Sequence, residues 1–120
     1  MSRLATLRAL AAEHDADAVL VTHPPSLRWA LGFTGSNGLL LVTLEAAHFV
    51  TDGRYTSQAA AEVTDAEVHV APASLAVYAG EHRLLGSVKR VVVEGDHLTV
   101  TAHREFGDTL SIEMVPTESS

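Results

Sequence analysis

The chain has 120 residues, of which 47% are apolar, and this is enough for one ordinary domain with a single core. Its formal net charge is −7 and its eight lysine and arginine residues are scattered, which argues against nucleic-acid binding because phosphate contacts need clustered positive charge. Cysteine is absent, which excludes a disulfide framework and any zinc or iron–sulfur site with cysteine ligands. No apolar run reaches the roughly 18 residues of a membrane span, so we expect a soluble, cytoplasmic domain without a membrane partner.

Hydrophobic periodicity and turn residues predict helices that alternate with strands along the chain. The N-terminal segment repeats apolar residues at helical spacing, with Leu4, Leu7, Leu10 and Ala11 at i, i+3, i+6 and i+7. The segment after it is a short apolar run without polar alternation, which is typical of a central strand covered on both faces. The predicted helices cover residues 1–12, 26–31, 52–63 and 74–85, and a last one that starts at residue 99 or 101 and ends at about residue 110. The predicted strands cover residues 16–22, 39–43, 47–51, 67–71, 88–94 and 111–115.

The strands over 39–43 and 47–51 are joined by a very short connection, so we expect them to pair as an antiparallel hairpin. Together with the alternating elements, this predicts an α/β fold: a three-layer α/β/α sandwich around a mixed sheet of about six strands. The hairpin argues against a doubly wound nucleotide-binding domain, whose core would be parallel throughout. We expect one domain over residues 1–116, and a frayed end or the start of a linker over residues 117–120.

A glycine-rich loop over residues 31–38, with the sequence LGFTGSNG, precedes the hairpin. It could be a phosphate cradle, but it lacks the Lys-Ser/Thr of a P-loop, does not match GxGxxG and leads into a strand where those motifs need a helix. The alternative, which we favour, is that its glycines permit a tight loop with positive φ. Ser36 does not lie in the GxSxG pattern of a nucleophile elbow, so a serine hydrolase is not indicated.

Seven histidines are spread along the chain without a metal-binding pattern. None forms HExxH, and no two lie four residues apart on a predicted helix. The sequence therefore predicts no metal ligand, no cofactor and no catalytic residue in this segment. Because spacing detects only local sites, a site assembled through space stays open.

The turn Asp52-Gly53-Arg54-Tyr55, which follows the hairpin, is the strongest candidate for a binding role. Arg54 could reach outward and bind a carboxylate through two parallel hydrogen bonds. The alternative is an internal ion pair with Asp52 or a role on a helix surface. We also expect Asp52 to cap the helix that follows. Trp29, the only tryptophan, is expected to pack in the core or against a loop.

Five blocks of the sequence carry a resemblance to a known family. They are the amphipathic segment from Arg3, DAVLVT over 17–22, LRWALGFTGSNG over 27–38, VTDGRY over 50–55 followed by Gln58 and Ala59, and VEGDHLT over 93–99. Together and in this order they resemble the N-terminal domain of the creatinase, prolidase and aminopeptidase P family, and most closely that of the Xaa-Pro peptidases. The resemblance extends from about residue 3 to about residue 110.

The resemblance implies a non-catalytic accessory domain. Enzymes of the family are metallopeptidases that cleave the bond before proline, and their two divalent metal ions, typically manganese, cobalt or zinc, are held by two Asp, one His and two Glu of a C-terminal pita-bread domain. That domain is absent from these 120 residues, so this segment alone would have no peptidase activity. By the same resemblance, the segment helps to form a homodimer. It would also close over the active site of its own or the neighbouring subunit and so limit the length of the proline-containing peptide substrate. Its substrate-proximal residues would be Phe33, Asp52, Arg54 and Tyr55.

Two other classes of function remain open. One is a stand-alone α/β module that binds a small molecule, which the mixed sheet allows and the missing phosphate motif discourages. The other is an independent hydrolase with a site assembled through space. The sequence does not separate aminopeptidase, dipeptidase and creatinase-type substrates, because the pockets that decide among them belong to the catalytic domain.

Overall fold

A computed structural model of the chain describes residues 3–95 and 99–117. Within these residues the helices are α1 Arg3–Glu13, α2 Pro24–Leu31, α3 Thr56–Glu62, α4 Leu75–Glu81 and α5 Val100–Leu110. The strands are β1 Ala18–Val21, β2 Leu39–Thr43, β3 Ala47–Asp52, β4 Glu67–Ala71, β5 Arg90–Glu94 and β6 Glu113–Thr117. A short 3₁₀ helix, Gly53–Tyr55, connects β3 to α3. None of the helices in the described ranges is long and apolar enough to cross a membrane.

The strands form one mixed sheet in the order β4-β3-β2-β1-β5-β6. Strand β2 is antiparallel to both of its neighbours, and the remaining pairs are parallel. The predicted hairpin is confirmed, because β2 pairs directly with β3 and Leu40 lies opposite Phe49. At one edge of the sheet, Pro116 of β6 lies opposite Val93 of β5.

Helices cover both faces of the sheet, which confirms the predicted three-layer sandwich. Helices α1, α2 and α3 enclose one apolar cluster, in which Leu27, Phe33 and Phe49 are fully buried. Helices α4 and α5 enclose the other, which includes Leu39 and Val91. Strand β1 is buried along its whole length, as expected of a central strand. Because each such side chain contributes about 1.5–3 kcal/mol on full burial, these two clusters are the main stabilising force of the fold.

Several predicted boundaries differ from the observed ones, and at two of them the backbone turns at a left-handed residue. The helix predicted over 74–85 ends already at Glu81, since Arg83, two residues further on, adopts a positive φ of 51°. The last strand begins two residues later than predicted, because Ser111 ends α5 in the left-handed conformation with φ 55°. The helix predicted to follow Asp52 starts as the 3₁₀ helix before α3.

The C-terminal boundary also differs from the prediction. Thr117, which we expected in a frayed end, is the last residue of β6 and lies opposite Glu94. Its Oγ1 donates a hydrogen bond to the Val93 carbonyl at 3.2 Å, which fixes it to the sheet. Residues 118–120, the rest of the expected frayed end, lie outside the described residues, as do residues 96–98 of the VEGDHLT block.

Candidate functional site

Asp52 ends β3 and caps the 3₁₀ helix that follows, so the predicted capping role is confirmed at this shorter helix. Its Oδ1 accepts hydrogen bonds from the backbone N–H and from Nε of Arg54, both at 3.0 Å. Its Oδ2 accepts from Nη2 of Arg54 at 2.9 Å and from Nδ2 of Asn37 at 2.6 Å. These donors, with the Arg54 side chain first, hold the pKa of the Asp52 carboxyl well below its usual range. Asp52 is therefore ionised at neutral pH and is a poor proton acceptor.

Arg54 is the charged group that the turn presents to solvent, with a side chain 69% exposed. Its Nε and Nη2 are bound to Asp52, so the internal ion pair that the sequence left as an alternative is confirmed. The guanidinium carbon also lies 5.2 Å from the centre of the Tyr55 ring, within cation–π range. Among the residues that the structure describes, none accepts a hydrogen bond from the third nitrogen, Nη1. That nitrogen is open to an outside acceptor such as a carboxylate.

Phe33 lies beneath the turn and is fully buried. Its ring centre is 4.6 Å from that of Phe49 and 5.6 Å from that of Tyr55, and the Tyr55 ring meets it edge to face at 82°. Such edge-to-face contacts between aromatic rings are favourable beyond the area that they bury. Phe33 therefore positions Tyr55 by packing and does not itself present a surface to solvent.

The glycines of the LGFTGSNG loop have two different roles. Gly32 ends α2 with φ 79°, as the prediction of positive φ requires. The same prediction is wrong for Gly35 and Gly38, whose φ values are not positive. A Cβ on Gly35 would lie 2.4 Å from Cζ of Phe33, and one on Gly38 would lie 2.6 Å from the Phe49 ring. At these two positions glycine is needed because aromatic rings occupy the space of a side chain.

A polar network fastens the loop to the turn and to α3. The Ser36 Oγ and the Tyr55 hydroxyl lie 2.5 Å apart, and this hydrogen bond lowers the pKa of Tyr55. The backbone N–H and Oγ1 of Thr34 donate to the Glu62 carboxylate at 2.9 Å, which lowers the pKa of Glu62. Gln58 Nε2 donates to Thr34 Oγ1 at 2.6 Å. Sequence reasoning did not assign roles to Ser36, Thr34 or Glu62, although the first two lie in the glycine-rich loop that it singled out.

The structure brings the four predicted site residues together, but it gives them different positions. Asp52 and Arg54 form an ion pair, and Phe33 and Tyr55 are in ring contact. Arg54 is accessible and Tyr55 is half-buried, whereas Phe33 is enclosed. A fixed cation beside a hydroxyl can bind and orient an anionic group. Neither Asp52 nor Arg54 is suited to move protons, so the arrangement fits the binding of an anion better than proton transfer.

A second concave region lies beside α2, where Trp29 is 42% exposed. Trp29 is therefore not in the core, one of its two expected positions, and its ring lies 5.6 Å from the Arg3 guanidinium carbon. Trp29, Ser26 and Glu94 line an open groove of about 590 Å³. Ser26 Oγ donates to Glu94 Oε2 at 2.6 Å, while the buried Oε1 has no hydrogen-bond partner among the described residues.

One group of side chains in the described ranges has the composition of a metal site: His48, Glu67 and His69. They lie on the face of the sheet covered by α4 and α5, opposite to the face that holds Phe33. Sequence spacing missed this group because His48 belongs to β3 and the other two belong to β4. Two imidazoles and one carboxylate do not match the set of two Asp, one His and two Glu implied for the peptidase metal centre.

Residues 3–119 match the family model of the Creatinase/Prolidase N-terminal domain. The chain belongs to this family. The match extends over nearly all of the sequence and confirms the resemblance carried by the five blocks. These 120 residues thus form a creatinase/prolidase N-terminal domain and do not include the catalytic domain.

Similar proteins support the same assignment for this creatinase/prolidase N-terminal domain. The protein named uncharacterized peptidase YqhT from Bacillus subtilis (strain 168) is 31% identical over 119 residues, which is 98% of this chain and 34% of that protein. An Xaa-Pro dipeptidase from Bacillus anthracis superposes with a TM-score of 0.89 at 25% identity, over 97% of this chain and 33% of that chain. The N-terminal domain of the cytoplasmic peptidase PepQ from Mycobacterium tuberculosis H37Rv superposes with a TM-score of 0.81 at 34% identity, over 97% of this chain and 92% of that domain's chain.

The creatinase/prolidase N-terminal domain described here spans about a third of the length of the YqhT peptidase and of the Bacillus anthracis dipeptidase. The PepQ structure contains only the N-terminal domain, and its fold is the same. The fold is therefore shared by the isolated domain of one relative and by the longer chain of another.

Proposed function

We propose that the chain is the non-catalytic N-terminal domain of an Xaa-Pro peptidase and that it supports dimerisation and closes the active site of a C-terminal peptidase domain. The match to the family over residues 3–119 carries this proposal. The names of its relatives, an Xaa-Pro dipeptidase and the cytoplasmic peptidase PepQ, agree with it. A pita-bread catalytic domain in the same polypeptide, a homodimer and a cytoplasmic location belong to the same proposal.

The metal ions of the proposed enzyme would be bound by the catalytic domain, as two divalent ions of manganese, cobalt or zinc. Bound there, they would activate water for attack on the peptide bond. The turn Asp52-Gly53-Arg54-Tyr55, called the Arg54 turn below, provides no such ligand set. Asp52 is the only carboxylate in this turn and already accepts hydrogen bonds from Arg54 and Asn37.

The Arg54 turn is the surface that we assign to the substrate side. Asp52 holds the guanidinium in one orientation, and the ring of Phe33 supports Tyr55 beneath it. Arg54 therefore loses little side-chain freedom when it binds, which favours a charge-assisted hydrogen bond from Nη1 to the carboxylate of a short peptide. Phe33 and Asp52 act through these two residues and do not touch the substrate.

Alanine substitution of Arg54 in the complete peptidase tests this assignment. One lost hydrogen bond to a charged group costs about 1.5–3 kcal/mol, so kcat/KM for an Xaa-Pro substrate should fall at least about tenfold. Arg104→Ala is the matched control, because Arg104 is also exposed but lies on α5. Unchanged kinetics and unchanged dimerisation in Arg54→Ala would remove Arg54 from the site.

The 120-residue chain tests the non-catalytic part of the proposal. Incubated with Mn²⁺ and Gly-Pro or Arg-Pro-Pro, the purified chain should release no product. Turnover by this chain, accompanied by binding of two metal ions, would favour the independent hydrolase instead.

The groove beside α2 supports the second candidate, a stand-alone module that binds a small molecule. Its volume of about 590 Å³ and the unpartnered Oε1 of Glu94 are the relevant observations. A ligand that binds the folded state raises the melting temperature, so a thermal-shift screen with nucleotides and other small polar molecules tests this candidate.

A further inference from the structure

Three potential metal ligands converge where β3 pairs with β4. In this parallel pair His48 lies opposite Glu67, and His69 lies opposite Val50. Alternate residues of a strand share one face of a sheet, so all three side chains lie on the face covered by α4 and α5. The register between two strands that are separated by α3 thus assembles a group that no sequence motif encodes.

The ligand atoms already have the spacing of one face of a tetrahedron. His48 Nδ1 is 3.0 Å from His69 Nε2 and 3.2 Å from Glu67 Oε2, and His69 Nε2 is 3.7 Å from Glu67 Oε2. In a tetrahedral zinc site with bonds of about 2.0–2.1 Å, neighbouring ligand atoms lie about 3.3–3.4 Å apart. The three observed distances lie on both sides of that value, so one ion needs only small side-chain adjustments to reach all three atoms.

The surroundings suit a partly open site. The side chains of His48 and His69 are only 17% and 14% exposed, whereas that of Glu67 is 67% exposed. The imidazoles are therefore fixed by the fold, and the carboxylate side leaves room for water as a fourth ligand.

Tyr78 of α4 supplies the outer contact that metal-binding histidines normally have. Its hydroxyl lies 3.1 Å from Nδ1 of His69, so Nδ1 can donate to it while Nε2 stays free for an ion. The Tyr78 ring is itself stacked on His82, with ring centres 3.8 Å apart. The orientation of His69, a residue of β4, is thus set by a residue of α4.

We propose that His48, Glu67 and His69 bind one divalent transition-metal ion, of which zinc is the best fit, with water as the fourth ligand. Two imidazoles and a carboxylate suit zinc and its neighbours better than magnesium or calcium, which prefer oxygen ligands alone. The ion links edge strand β4 to β3. This site is separate from the metal centre proposed for the catalytic domain, and it does not depend on the peptidase assignment.

Titration of the purified 120-residue chain with Zn²⁺ by isothermal calorimetry tests the proposal. One ion per chain with a dissociation constant in the micromolar range or tighter is expected. Co²⁺ should bind in the same place and give the intense visible absorption of a tetrahedral complex. The absence of saturable binding, or weak binding of several ions, would overturn the proposal. The three side chains would then be joined only by hydrogen bonds.

Single substitutions assign the ligands. His48→Gln, His69→Gln and Glu67→Gln should each weaken zinc binding by more than about tenfold. Removal of a residue that only contacts a metal ligand already costs about tenfold or more, and loss of the ligand itself should cost more. Glu67→Gln keeps the shape of an exposed side chain, so it remains informative if a histidine variant fails to fold. His103→Gln, on α5, is the matched control and should bind zinc like the parent chain. Equal affinity in Glu67→Gln and the parent would contradict the site, as would an equal loss in His103→Gln.

Discussion

Asp52 and Arg54, two residues apart, form a two-point ion pair in which Nε reaches Oδ1 at 3.0 Å and Nη2 reaches Oδ2 at 2.9 Å. The backbone N–H of Arg54 donates to the same carboxylate, so the pair is built into the cap of the 3₁₀ helix. Asn37 adds a donor from the glycine-rich loop. One carboxylate therefore fixes both the course of the chain after β3 and the direction of the exposed cation.

Asp52→Asn should change how stability depends on acid. The pKa of Asp52 is lowered in the folded chain from its ordinary value of 3.8, so the ionised group stabilises the fold above that value and ceases to do so as pH falls through the folded pKa. Urea unfolding should show the variant less stable than the parent at pH 7, with the difference shrinking below about pH 4. Asp65→Asn, at an exposed aspartate, is the control. A difference between parent and Asp52→Asn that stays constant down to pH 2 would contradict this account.

Gly35→Ala should destabilise the domain. Its Cβ would lie 2.4 Å from the Phe33 ring and 2.9 Å from the Tyr55 ring, and relieving such overpacking typically costs about 1–3 kcal/mol. Gly53→Ala is the matched control, because nothing lies within 4 Å of the added carbon. There the free energy of unfolding should stay unchanged or rise by up to about 1 kcal/mol. Equal effects of the two substitutions in urea unfolding would show that ring packing does not select glycine at 35.

Phe49→Ala should have one of the largest effects on stability of any single change. Phe49 is fully buried against Phe33, and truncating such a ring costs about 3–5 kcal/mol through lost burial and the cavity that remains. Leu44→Ala, in the exposed connection between β2 and β3, should change the free energy of unfolding by less than about 0.5 kcal/mol. Both values come from urea unfolding curves. A small loss for Phe49→Ala would mean that the aromatic cluster collapses around the gap.

Zinc should stabilise the folded chain if the β3–β4 site is correct. At a free concentration about 100 times the dissociation constant, the ion adds about 2.7 kcal/mol to the free energy of unfolding. Differential scanning calorimetry should therefore show a higher melting temperature with Zn²⁺, and EDTA should reverse the rise. Glu67→Gln should reduce the rise, whereas His103→Gln should keep it. A melting temperature that zinc leaves unchanged in the parent chain would count against the site.

Most of the fold could be predicted because its signals are local. The short connection after residue 43 required a hairpin, and the bounds of β2 and β4 agree with the predicted strands. The C-terminal end of α4 and the start of β6 could not be predicted, because Arg83 and Ser111 adopt left-handed conformations that their residue types do not indicate. Tertiary packing decides those turns.

The candidate site was predictable to the same extent. The pairing of Asp52 with Arg54 is local, and the sequence contained it as one of two interpretations. The burial of Phe33 and the exposure of Trp29 depend on which elements pack against the loop and α2. The sequence composition does not determine that packing. The approach of His48 to His69 depends on strand register across α3, so spacing rules could not find it.

Pro116 lies in β6, the outermost strand at one border of the sheet, opposite Val93. Proline on such a strand normally directs its nitrogen away from the sheet, where an ordinary residue would offer an N–H to an incoming strand. A further strand that approached along β6 would therefore find no N–H donor at position 116. Growth of a continuous sheet from one molecule into the next is disfavoured at this border, so Pro116 protects the domain against edge-to-edge aggregation.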